Sequence, residues 1–137
     1  MSTVLLPARV VDMVMYAETG VLYSQFTDGG STAGTYQVGF ELQVGFFVEA
    51  AFVTQVTGFT GDTSAAITVG DGSDVDRYNA GTPTVFTTIS GLYLGVPSGT
   101  RVIATANKPT ITVTSGADWG SVTAGQLDIR IYGHMAY

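Results

Sequence analysis

From Gln37 to Val53 the chain alternates with a period of two. The even positions are Val38, Phe40, Leu42, Val44, Phe46, Val48, Ala50 and Phe52, and the odd ones are Gln37, Gly39, Glu41, Gln43, Gly45, Phe47, Glu49 and Ala51. That spacing sends one set of side chains to a buried sheet face and the other towards solvent. A helix would scatter the apolar set around its circumference, and Gly39 and Gly45 would each weaken it by about 1 kcal/mol relative to Ala. Most strands run about 3–10 residues, so a bend or bulge is expected near Gly45. On this reading Phe52 faces the core, and Glu41 and Glu49 face solvent.

The same period recurs elsewhere. Leu127, Ile129 and Ile131 alternate with Asp128, Arg130 and Tyr132, and Ile111 and Val113 alternate with Thr110, Thr112 and Thr114. Val10–Tyr16, Ala65–Val69, Thr84–Ile89 and Arg101–Ala106 are further strand candidates. Twenty threonines and seventeen valines suit pleated surfaces. Turn signals such as Asp28-Gly29-Gly30, Gly70-Asp71-Gly72 and Pro97-Ser98-Gly99 separate the strands at short intervals. Many short strands with no helical pattern predict an all-β fold, an antiparallel β-sandwich of jelly-roll type. Residues 1–34 break the rhythm and are expected as an irregular N-terminal arm or long loop of the same domain, with the sandwich over 35–137. Val10 to Tyr16 is apolar on both faces apart from Asp12. A strand of that kind is central in a sheet or covered by a partner, and burial preferences favour the core.

Composition narrows the function. The net charge is -6, with five Lys and Arg residues against eleven Asp and Glu. Nucleic-acid binding needs a basic stripe to neutralise phosphates, so nucleic acid is not an expected partner. The same acidity argues against anionic membranes, and no apolar run approaches the roughly 20 residues that span a bilayer. No targeting segment stands out. With no cysteine, disulfides and thiolate chemistry are excluded, which favours intracellular synthesis. Only 12% of residues are charged while 45% are hydrophobic. Two readings fit that imbalance: a surface solvated by hydroxyls, or a surface that meets other protein.

The residues that carry chemistry are few. His134 is the only histidine, shares parity with Asp128, Arg130 and Tyr132, and points away from the core. No G-x-S-x-G elbow accompanies it, so no catalytic residue is assigned and the chain is not expected to be an enzyme. Asp71, Asp74 and Asp76, with Asp62 upstream, form the best candidate for calcium. Their spacing fails the EF-hand pattern, Thr82 stands where its last glutamate would, and Arg77 is adjacent. Ordinary turn duty is the preferred role, and no metal or cofactor is assigned. Trp119, in Ala117-Asp118-Trp119-Gly120, either plugs one end of the sandwich or serves as an exposed stacking platform, and burial favours the plug.

Two segments carry a resemblance. Ile67-Thr68-Val69-Gly70-Asp71-Gly72-Ser73-Asp74-Val75-Asp76-Arg77-Tyr78 is one, within Phe52 to Tyr78. The other is Ile111-Thr112-Val113-Thr114-Ser115-Gly116 followed by Thr123-Ala124-Gly125-Gln126-Leu127-Asp128-Ile129-Arg130-Ile131-Tyr132-Gly133. Together they resemble small virion proteins of tailed bacteriophages, among them the jelly-roll decoration, or cement, proteins of the outer capsid surface. The resemblance covers roughly the last two-thirds of the chain and brings no catalytic residues. It implies synthesis in the host cytoplasm and a place on the virion. It also implies a homodimer or homotrimer bound to the major capsid protein. The N-terminal region up to Gly34 is then the expected contact segment. The rival reading is a phage tail or receptor-binding component that holds host glycan, with Trp119, Tyr93 and Tyr78 as stacking platforms.

Overall fold

The computed structural model describes residues 13–63, 65–79, 91–93 and 101–136. These contain strands β1 (Val14–Leu22), β2 (Thr27–Asp28), β3 (Ala33–Gln37), β4 (Phe46–Thr60), β5 (Ala65–Gly70), β6 (Gly91–Tyr93), β7 (Thr110–Ser115) and β8 (Ala124–Met135). Two single 3-10 turns, Tyr23–Gln25 and Trp119–Ser121, are the helical elements among the described residues. Every strand pairing is antiparallel. The strands form two sheets, ordered β1-β8-β4-β6 (the β8 sheet) and β2-β3-β7-β5 (the β7 sheet). The fold is thus the all-β, two-sheet antiparallel sandwich that the alternation predicts.

Both sheets contribute alternate residues to one core. Ile67, Val69, Ile111 and Val113 from the β7 sheet, and Val48, Ala51, Val53, Leu127, Ile129 and Ile131 from the β8 sheet, are fully buried. Removing such side chains from water stabilises the fold by about 1.5–3 kcal/mol each. Aromatic clusters form at opposite ends of β4. Near its start Tyr16 meets Phe46 edge-on at 5.0 Å and stacks on Phe40 at 5.6 Å. Near its finish Phe26 lies 5.3 Å from Trp119 and 6.0 Å from Phe59. Trp119 is 5% exposed and plugs the sandwich. A Cβ on Gly34 would come within 2.2 Å of its ring, so only glycine fits beneath it.

The strand alternation holds, with shifts that have physical causes. The run from Gln37 to Val53 is two pieces. β3 ends at Gln37, an irregular connection follows, and Gly45 turns the chain at φ 88° before β4 begins. Leu42 and Asn107 form an isolated bridge in that connection. The register of β4 on β8 then shifts between Val48 and Ala50. One extra residue in a strand inverts the parity beyond it. Val48 is therefore buried, but so are Ala51 and Val53, while Phe52, expected in the core, is 36% exposed. Val44 is exposed for a different reason: it belongs to the turn that precedes β4.

Elsewhere β5, β7 and β8 match their candidates to within a few residues. Arg101–Ala106 is not a strand; Val102 makes only an isolated bridge to Phe47. Thr84–Ile89 lies outside the described residues, as do residues 1–12. From Val14 the segment expected as an arm carries β1, a 3-10 turn and β2, and so belongs to the sheets. β1 is the outermost strand of the β8 sheet rather than a central one. Its Glu18 ties the two sheets together: it accepts the phenol proton of Tyr36 on β3 and the backbone N–H of Gly39 at 2.7 Å. That hydrogen bond, with some burial and the charge of Glu18, pushes the Tyr36 phenol up to about 12.

Candidate interaction surface

The sites flagged in the sequence resolve into structural parts. Asp71 accepts the N–H groups of Ser73 and Asp74 at 3.0 and 2.8 Å and pairs with Arg77 at 3.5 Å. Burial opposes its ionisation, but those N–H groups and the Arg77 charge hold its carboxyl below the ordinary range. A hydrogen bond to Asp74, and the charge of Asp74, push the Asp76 carboxyl up. Among the described residues no three acidic or imidazole groups stand close enough to hold a metal ion. Asp62 lies apart, clamping a different loop: it accepts N–H groups from Thr63, Ala117 and Asp118 at 2.6, 2.9 and 2.9 Å. These donors lower its carboxyl to about 2.

Tyr78 is 1% exposed, and its phenol donates to Asn107 at 3.0 Å. Neither Tyr78 nor Trp119 can serve as a stacking platform. The side chain of Tyr93 lies outside what is described.

What remains distinctive is the outward face of the β8 sheet. Cross-strand pairing sets Met15, Tyr132 and Ala50 in one row, and Ala17, Arg130 and Phe52 in the next. Phe52 and Tyr132 meet edge-on at 5.5 Å and border an open cleft of about 290 Å³. Met13 and Met15 are 60% and 51% exposed. Towards the start of β4, Phe47 stacks on His134 at 5.1 Å, and the Arg101 guanidinium covers the Phe47 ring at 4.6 Å. Glu49 reaches both side chains, 3.4 Å from Arg101 and 3.2 Å from His134 Nδ1. His134 thus sits outside the core, as its parity predicts. Arg101 also holds the bulge that exposes Phe52, because it donates to the carbonyls of Val48 and Glu49, both at 2.8 Å.

The outward face of the β7 sheet is different. Thr27 pairs with Thr35, Thr35 with Thr112, and Thr112 with Thr68, so four threonines cross four strands in one row. Ala33, Thr114 and Ala66 make the neighbouring row. No large apolar side chain stands among them.

Sequence reasoning missed Phe52 and Arg101 as surface determinants. The two-sided apolarity of Val10–Tyr16, whose last three residues open β1, was the one available signal of an apolar surface, and it points to the core by burial preference.

The architecture defines an antiparallel two-sheet β-sandwich. Its fold is similar to that of a chain in the cyanophage Pam1 capsid asymmetric unit, with a TM-score of 0.56, 16% identity, and coverage of 98% of this chain and 94% of that one. No family model matches the sequence, and no curated protein matches it.

Proposed function

We propose that this chain is a structural protein of a phage virion, a jelly-roll cement protein that binds the outer surface of the capsid and ties neighbouring major capsid protein subunits together. The observation that carries this reading is the likeness in fold, over nearly the full length of both chains, to a chain of a phage capsid. The strand order supports the jelly-roll form. Among the described strands, successive ones alternate between the sheets except β2 and β3, and β8 lies between β1 and β4. The ionisable groups that meet, Glu49 with Arg101 and His134 and Asp71 with Arg77, lie on partly exposed surface and are read as parts of contact surfaces, so the proposed role is binding.

A cement protein stabilises the state it binds by mass action. Repetition over a symmetric shell converts a modest contact into a strong total. The glycan-holding alternative loses two of its three platforms to burial. Sedimentation with empty shells assembled from the major capsid protein of the same phage tests the proposal. Saturable co-pelleting is expected. A chain that stays in the supernatant at every shell concentration rejects it.

A further inference from the structure

We infer that the cleft between Phe52 and Tyr132, together with Arg130, seats one apolar side chain of a partner protein, presented by an extended segment that carries a carboxylate two residues away. Arg130 lies opposite Phe52 of β4 and two residues from Tyr132 on β8. Ile129 and Ile131 are fully buried, so the alternation turns Arg130 and Tyr132 outwards. Ala17 neighbours Arg130 in its row and Ala50 neighbours Tyr132 in the next, so small side chains flank the large ones.

The form of the cleft points to a side chain rather than a free ligand. It is open, with a volume of about 290 Å³. Free ligands occupy pockets of about 300–1,000 Å³ that enclose most of their surface. An open cleft of this size covers little of such a molecule, but it suits one side chain whose other contacts come from the partner's own surface. The rings set the chemistry. Phe52 and Tyr132 meet at 87° with centroids 5.5 Å apart. They make a corner, not the flat platform on which a sugar stacks. A phenyl or branched aliphatic group fits a corner, lying on one ring and meeting the edge of the other. Charge sets the neighbouring residue. The chain carries -6, yet a cation stands beside this cleft. Among the described residues no carboxylate pairs with Arg130. Asp128, on the same face, accepts the Gly20 N–H at 2.8 Å. Residues two apart in an extended chain share a face and stand about 6.6 Å apart, the interval between Arg130 and Tyr132 on β8. An extended partner therefore reaches both with an apolar residue and an Asp or Glu two positions from it.

This inference rests on the capsid reading only in taking the partner to be a protein, and its test needs no shells. The probe is acetyl-Glu-Thr-Phe-Thr-Glu-amide, titrated into the purified full chain and followed by amide NMR shifts. One control peptide has Lys for both Glu residues, and another has Ala for Phe. Shifts confined to the surroundings of Phe52, Arg130 and Tyr132 are expected, with a dissociation constant on the order of 1 mM. The lysine peptide should bind about fivefold more weakly, although the net charge of the chain attracts it. The alanine peptide should lose about tenfold or more. Arg130→Gln should abolish the preference for the acidic peptide, and Phe52→Ala should weaken its binding about tenfold. Thr112→Val, on the opposite face, should change nothing. Should Phe52→Ala fail to fold, Arg130→Gln and the three peptides on wild type decide. Equal binding of the acidic and basic peptides, a preference for the basic one, or no shift around the cleft overturns the inference. So does a cleft that responds to a methyl glucoside and not to the peptide. Peptide failure while shells still co-pellet the chain strikes this inference alone.

Discussion

The two sheets are alike inside and unlike outside. Inward, both present alternate buried aliphatic side chains, Ile and Val in each and Leu127 in the β8 sheet. Outward, the β7 sheet is a ladder of threonines, while the β8 sheet carries Met15, Phe52, Tyr132, Arg130 and the Arg101–Phe47–His134 stack. Hydroxyls keep a pleated surface hydrated at little cost, and cross-strand threonine pairs add about 0.2–1 kcal/mol each. Aromatic and methionine side chains gain nothing from water. The inward set decides whether the chain folds; the outward set decides what the folded chain meets.

The largest expected effect sharpens the similarity. Ile67→Ala in the β7 sheet and Ile129→Ala in the β8 sheet should each cost about 2–5 kcal/mol in urea unfolding, since both side chains are fully buried. A much smaller cost in one sheet would mean that the core is not shared equally. Gly34→Ala comes next: a methyl forced against the Trp119 ring should cost about 1–3 kcal/mol by overpacking.

The tie between the sheets is weaker. Tyr36→Phe removes the hydrogen bond to Glu18, and a loss of about 1 kcal/mol at neutral pH is expected. The phenol pKa is raised on folding, so the contribution is complete below about 10 and disappears as pH rises through about 12. Alkaline denaturation of wild type and variant should therefore converge.

Asp62 works in the opposite direction. Its folded carboxyl lies below the unfolded value, so its contribution is present above pH ~4 and disappears as pH falls towards about 2. The difference in melting temperature between wild type and Asp62→Asn should shrink over that window. The smallest effect is Thr112→Val, in the middle of the threonine row. It should stay within about 0.5 kcal/mol of wild type. A large change there would erase the distinction between the two outer faces.

β5, β7 and β8 were legible in the sequence because each alternates regularly along the part its side chains mark. Trp119 was legible as a plug because so large a ring is highly buried on average. Phe52 was not: its exposure depends on a bulge held by a side chain from a distant segment, and no local pattern encodes that. Asp62 carried the residue type of a metal ligand, but its partners are three backbone N–H groups supplied by the chain's tertiary path. For β1, only its opening residues, Val14 to Tyr16, fell within the two-sided apolar stretch visible in the sequence. Whether such a strand lies in the middle of a sheet or at its margin is a matter of topology, which periodicity does not report.

The guanidinium of Arg101 has a reach beyond its own contacts. By gripping two successive carbonyls of β4, it holds the bulge that sets the phase of the strand from Ala50 to Gln55, before the next register shift. Loss of this one cation would leave composition almost untouched yet free the strand to slide by a residue, drawing Phe52 inwards and pushing Val53 out. What that stretch of the face shows is thereby governed by a side chain from a segment far away in the sequence.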